Sequence, residues 1–165
     1  MNSAAWIKHL KMSPHPEGGS FSPGFSDSPL FLPHFPGQRH QGYRRLFSSI
    51  YYLLEEGDFS AFHRLETDEM WHHYQGGVLK IYLIDASGAL SIKRLGNDPE
   101  GGAVFQFLTP HHVWFAVEPE IGSEFALCGC TLSPGYDDDD FELADREKLL
   151  TLFPQHHELI TRLTR

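Results

Sequence analysis

"GDFSAFHRLETDEMWHHYQGG", residues 57–77, gathers His63, Glu66, Asp68, Glu69, His72 and His73 into one short stretch. "SAFHRL" (60–65) and "MWHHYQ" (70–75) are apolar and aromatic, the polar "ETDE" separates them, and Gly57, Gly76 and Gly77 frame the whole. The pattern predicts two short strands joined by a turn. Successive strand side chains point to opposite faces, so His63 shares a face with Leu65. On a regular second strand Glu69, Trp71 and His73 share the inward face, while Met70, His72 and Tyr74 point away. The many polar residues therefore divide between faces, and His63, Glu69 and His73 remain as candidates for chemistry.

The same rhythm continues on both sides. "RRLFSSIYYLL" precedes the stretch; "VLKIYLID", "ALSIKRL", "AVFQFLT", "VWFAVE" and "EFALCGCTLS" follow it, separated by turns such as "ASGA", "GNDPEGG" and "EPEIGS". Short strands with regular turn signals predict an all-β sandwich or barrel. The ends differ. "SAAWIKHLKM" places Trp6, Ile7 and Leu10 at helical spacing, with Ser3 as the expected N-cap. "ADREKLLTLF" and "PQHHELITRL" predict C-terminal helices, Pro154 suiting a first helical position. Residues 22–42 hold Pro23, Pro29, Pro33 and Pro36 and predict a long loop.

The 165 residues predict a single domain, 1–165, without repeats. A formal net charge of −9 with no basic patch argues against nucleic acid as a partner. No apolar run reaches the ~20 residues needed to cross a bilayer, and no membrane partner is expected. "MNSAAWIKHLKM" lacks a signal-peptide pattern, which predicts a cytoplasmic protein. Cys128 and Cys130 lie two apart on one face of a predicted strand and are expected as buried thiols. "YDDDDF" lacks the ligand spacing of a calcium loop, so its last aspartates are expected to cap the following helix.

Within an all-β frame the opening stretch resembles the first motif of the cupin superfamily: Gly57, five residues, His63, Leu65 where a second histidine would stand, Glu69, six residues, Gly76. "PHPEGG" (14–19), "SSIYYLL" (48–54), "PHHVWFAV" (110–117) and "GCTLSPGYDDDDFELADR" (129–146) extend the likeness to the small cupin-5-type family of unknown function. The resemblance covers nearly the whole chain in order. It departs at "SFSPGFSDS", where the family has a charged strand, and at His112, where the second motif usually has glycine. It implies a jelly-roll barrel of two antiparallel sheets with an N-terminal helix and C-terminal helices. It also implies a small-molecule ligand in the barrel and a homodimer.

A metal-binding cupin offers four ligands, and the resemblance places Leu65 and Phe115 at two of those positions. No metal and no cofactor are therefore assigned. The leading expectation is a metal-independent isomerase or epimerase on a carbohydrate-like or carbonyl compound, by likeness to the epimerase cupins that act on nucleotide-linked keto-sugars. His63 is then the base, Glu69 its carboxylate partner and Tyr51 the acid. Trp71, His73 and Phe115 line the pocket. A cluster of cations for a nucleotide diphosphate is not evident; Arg44, Arg45 and Arg64 are the close candidates. Two alternatives stand beside this one: a metal-dependent oxygenase or lyase built on His63, Glu69 and His73, and a non-catalytic ligand-binding or sensor protein.

Overall fold

The computed structural model describes residues 1–26, 30–31 and 43–165. The proline-rich stretch 22–42, expected as a long loop, is strand at residues 22–26 and Leu30–Phe31, because the first pair with a later strand and the second form half of a small ribbon. Residues 27–29 and 32–42 lie outside the described residues, and with them the rest of that expectation.

Eleven strands build two antiparallel sheets. One sheet holds β1 (Ser13–Pro14), β2 (Ser20–Ser26), β5 (Ser48–Glu55), β12 (Phe125–Leu132), β7 (Glu69–Gly76) and β10 (Gln106–Thr109), in that order. The other runs β13 (Phe141–Leu143), β6 (Ser60–Leu65), β11 (Trp114–Pro119), β8 (Leu79–Ile84) and β9 (Leu90–Leu95). A small ribbon pairs β3 (Leu30–Phe31) with β4 (Tyr43–Arg44). Consecutive strands such as β6 and β7 sit in opposite sheets, so the opening stretch crosses the barrel from one wall to the other.

The main core lies between the sheets and joins Tyr52, Leu54, Trp71 and Cys130 of the first to Leu65, Ile81, Leu83, Phe115 and Val117 of the second. Each such apolar side chain, fully buried, stabilises by about 1.5–3 kcal/mol. The helices cover the outer faces. α1 (Ser3–His9) lays Trp6 and Ile7, with Leu10 just beyond it, over Leu53, Phe125 and Leu127 of the first sheet. α2 (Arg146–Leu152) and α3 (His157–Arg162) bring Leu149 and Ile160 onto Phe62, Tyr82, Ile84 and Trp114 of the second. That double coverage explains runs such as "LKIYLI", apolar at nearly every position rather than at alternate ones.

Two local expectations change. Asn2, not Ser3, caps α1, its side chain accepting the Ala5 amide hydrogen. Asp145 caps α2 by accepting from Lys148 N–H. The aspartate run instead forms a single 3-10 turn, Asp138–Asp140, capped by Asp137, and Asp140 pairs with Arg44 at 3.2 Å. Cys128 and Cys130 are free and buried, as the sequence predicts.

Candidate functional site

A cavity of about 230 Å³ opens between the sheets. Its apolar walls include Phe21, Ile50, Leu65, Trp71, Leu132 and Phe141, and its polar groups include His15, Glu17, Tyr52, His63 and Glu69.

His63 comes from β6 and faces inward with Leu65. Its Nδ1 lies 2.7 Å from the Ala61 carbonyl, an acceptor only, so the neutral ring carries its proton there. Nε2 then holds the lone pair, and it makes no hydrogen bond to any described residue. Phe115 packs against the ring at 4.0 Å between centroids and fixes its plane.

The carboxylate beside this imidazole is Glu17. Its Oε2 is 3.6 Å from His63 Nδ1, too long for a hydrogen bond but within ion-pair distance. Ser60 Oγ donates to the same oxygen at 2.7 Å. Glu17 sits in the "PHPEGG" turn, and the glycines that follow it explain why the turn reaches so far in. Gly18 has φ +122°, and a Cβ there would stand 2.1 Å from the Phe59 carbonyl oxygen. Gly19 has φ +67°, and a Cβ would stand 2.6 Å from the Leu53 carbonyl oxygen. Only glycine meets both demands. The turn is pinned from three sides: Tyr52 OH donates to Gly18 O at 2.7 Å, Ala61 N–H to Glu17 O at 3.0 Å, and Arg165 Nε–H to the same oxygen at 3.1 Å. His15 accepts the Glu17 amide hydrogen on Nδ1. Burial holds its pKa below the usual histidine range, against the pull of Glu17.

Glu69 opens β7 and is buried. Burial and the charge of Glu17 push its pKa up to about 8, offset in part by the Trp71 indole N–H and the Cys130 thiol, which stand near the carboxyl without hydrogen-bond geometry to it. At neutral pH it is mainly the acid. Glu69 Oε2 and Trp71 Nε1 both lack a hydrogen-bond partner among the described residues. The two side chains are two residues apart on one face of β7 and both line the cavity. Burial also raises the Tyr52 phenol and the Cys130 thiol well above their usual values, so both stay neutral.

The structure thus brings His63, Glu69 and Trp71 together and leaves the other expected residues elsewhere. Tyr51 is on the outer face of β5, its ring 6.0 Å from Tyr74; Tyr52, one residue on, faces the cavity. His73 lies where the β7–β12 register shifts; its Nε2 is 3.1 Å from the Gly77 carbonyl, outside the cavity lining. Phe115 is buried behind His63 and does not line the cavity. Sequence reasoning missed His15, Glu17 and Tyr52, although "PHPEGG" carried the signal of a carboxylate before two glycines.

A cupin metal centre does not fit these residues. Leu65 and Phe115, at two of the motif's ligand positions, are buried hydrocarbon. Among the described residues no three of His, Cys, Asp and Glu group so as to hold a metal ion. His73, the offered substitute, turns to the Gly77 carbonyl instead.

Two facing antiparallel sheets enclosing a cavity with a histidine and carboxyl groups are the architecture of a cupin barrel. The family described as Cupin superfamily (DUF985) matches residues 4–144, and the chain belongs to it. A Shewanella oneidensis protein is similar over 100% of this chain and 98% of its own, at 39% identity and TM-score 0.89. A hypothetical protein from Leishmania major is similar over 99% of each chain, at 27% identity and TM-score 0.87. Oxalate decarboxylase from Bacillus subtilis shares the fold at 13% identity and TM-score 0.54, and 91% of this chain spans 36% of that enzyme. A search of the curated proteins finds no match. Among the described residues no helix is long and apolar enough to cross a membrane.

Proposed function

We propose that the protein is a metal-independent isomerase or epimerase acting on a small carbonyl compound, carbohydrate-like in size. One observation carries this reading: His63, with Nδ1 held by Ala61 and Nε2 left as the base, shares a cavity with Glu69, a buried carboxylic acid. A base and an acid of opposite role are what proton transfer next to a carbonyl requires. His63 Nε2 takes the proton from the carbon beside the carbonyl. Glu69 gives its proton to the carbonyl oxygen, and an enol forms. In isomerisation His63 then gives its proton to the former carbonyl carbon, and Glu69 takes the hydroxyl proton from the carbon that lost hydrogen, which becomes the new carbonyl. In epimerisation the enol turns its other face to His63, which reprotonates the same carbon as Glu69 takes its proton back from the enol oxygen. Glu17 stabilises the imidazolium in between.

Incubation with keto-sugars in deuterium oxide tests this by proton NMR. Exchange beside the carbonyl, lost in His63→Ala, is the expected result. Binding without exchange across a broad panel would make the protein a ligand-binding or sensor protein instead. A homodimer is part of the same reading, supported by the exposed Tyr51 and Tyr74 on the outer face of the first sheet; sedimentation equilibrium tests it.

A further inference from the structure

We propose that the cavity accepts an uncharged, monosaccharide-sized ligand, seats one of its oxygens between Glu69 and Trp71, and turns away phosphate and carboxylate groups. The location of the site rests on the reading just given; the charge rule comes from the walls.

Three carboxyl side chains line the cavity, those of Glu17, Glu69 and Asp138, and among the described lining residues there is no lysine or arginine. Arg44, a candidate for an anion, is committed to Asp140 at 3.2 Å and Asp137 at 3.7 Å. An entering anion would lose its hydration and meet carboxyl groups in return, and the two histidines of the lining, His15 and His63, already face the Glu17 carboxylate at 3.9 Å and 3.6 Å. Burial and Glu17 already keep Glu69 from ionising below about pH 8, and a second negative charge beside it faces the same penalty.

Size agrees with charge. A volume of about 230 Å³ equals the liquid volume of roughly eight waters. That suits a sugar ring. Chemistry agrees with both. Glu69 Oε2 and Trp71 Nε1 are buried and unpartnered among the described residues, a condition that costs stability until something fills it. One hydroxyl or carbonyl oxygen satisfies both, accepting from the indole N–H and sharing a hydrogen bond with the carboxyl. The rings of Phe21, Tyr52 and Phe141 offer apolar surface to the C–H faces of such a ligand.

Binding, not turnover, tests this. Matched probes are D-fructose with D-fructose 6-phosphate, D-xylulose with D-xylulose 5-phosphate, and D-glucose with D-glucuronate, titrated at pH 7 by calorimetry. At least one uncharged probe is expected to bind, with its charged counterpart weaker by roughly tenfold or more. Trp71→Phe removes the N–H and is expected to weaken the uncharged probe about tenfold. Because Trp71 is a core residue, the wild-type indole N–H resonance serves as a second readout, and it should shift on binding. A charged probe binding as well as or better than its partner overturns the proposal. So does an unmoved indole resonance, or no binding by any probe. The proposal and the isomerase reading fail separately: selective binding without deuterium exchange leaves this one standing alone, and exchange confined to a phosphate ester leaves the other.

Discussion

Glu17 Oε2 stands 3.6 Å from His63 Nδ1, although the two residues belong to opposite sides of the barrel and to distant parts of the chain. The carboxylate that stands beside His63 is therefore Glu17 and not Glu69, the one its own motif supplies. Glu69 is free for the opposite role, because the charge of Glu17 helps hold it in the acid form.

Glu17→Gln keeps the shape and an acceptor for Ser60 while removing the charge. The imidazolium formed during proton transfer loses its stabilisation. Deuterium exchange or turnover should fall by about 10²-fold with KM little changed. A full-rate variant would show that Glu17 only packs the turn.

Tyr51 and Tyr52 are a tandem that distinguishes the two faces of β5. Tyr51→Phe removes a hydroxyl on the outer face and should leave exchange and melting temperature unchanged. Tyr52→Phe removes the bond to the Gly18 carbonyl, 2.7 Å long, should cost about 1 kcal/mol, and should loosen the turn that presents Glu17. A larger loss of exchange in Tyr51→Phe than in Tyr52→Phe would reverse the assignment of faces.

The tandem also marks the limit of what the sequence makes legible. The strands from "SAFHRL" to "FALCGCTL" follow from alternation and turn glycines, and His63 and Glu69 follow from motif spacing. On β5 the alternation carries no phase. Tyr52 and Leu54 are buried between the sheets, and Leu53 is buried beneath α1, so "YYLL" offers no polar residue to mark the outside. His73 fails for a related reason, since the register shift near it interrupts the regular face. Glu17 and His15 reach the site only through tertiary contacts, such as the Ser60–Glu17 bond across 43 residues, which no local pattern records.

Metal dependence follows from the ligand positions. With Leu65 and Phe115 in two of them, exchange activity should survive dialysis against EDTA, and added zinc, manganese or ferrous iron should not raise it. Plasma emission analysis of the purified protein should give well under one equivalent of each. Stoichiometric metal, released in His63→Ala, would restore the oxygenase or lyase alternative.

Glu69 ties the site to stability. Its pKa rises from 4.5 to about 8 on folding, so between those values the folded chain holds a proton that the unfolded chain has released. Folding then takes up a proton, and stability falls as pH rises, at up to about 1.4 kcal/mol per pH unit. The loss starts near the unfolded value and is complete above the folded one, a total of a few kcal/mol in order of magnitude. Glu69→Gln keeps the volume and cannot ionise. In urea unfolding at pH 5, 7 and 9, the variant should therefore gain on the parent protein with each step up to about pH 8 and then hold a constant lead. Catalysis should lose its acid over the same alkaline limb, falling above about pH 8. Stability curves that stay parallel across all three pH values would mean that Glu69 is ionised in the fold, and the acid would have to be sought elsewhere in the cavity.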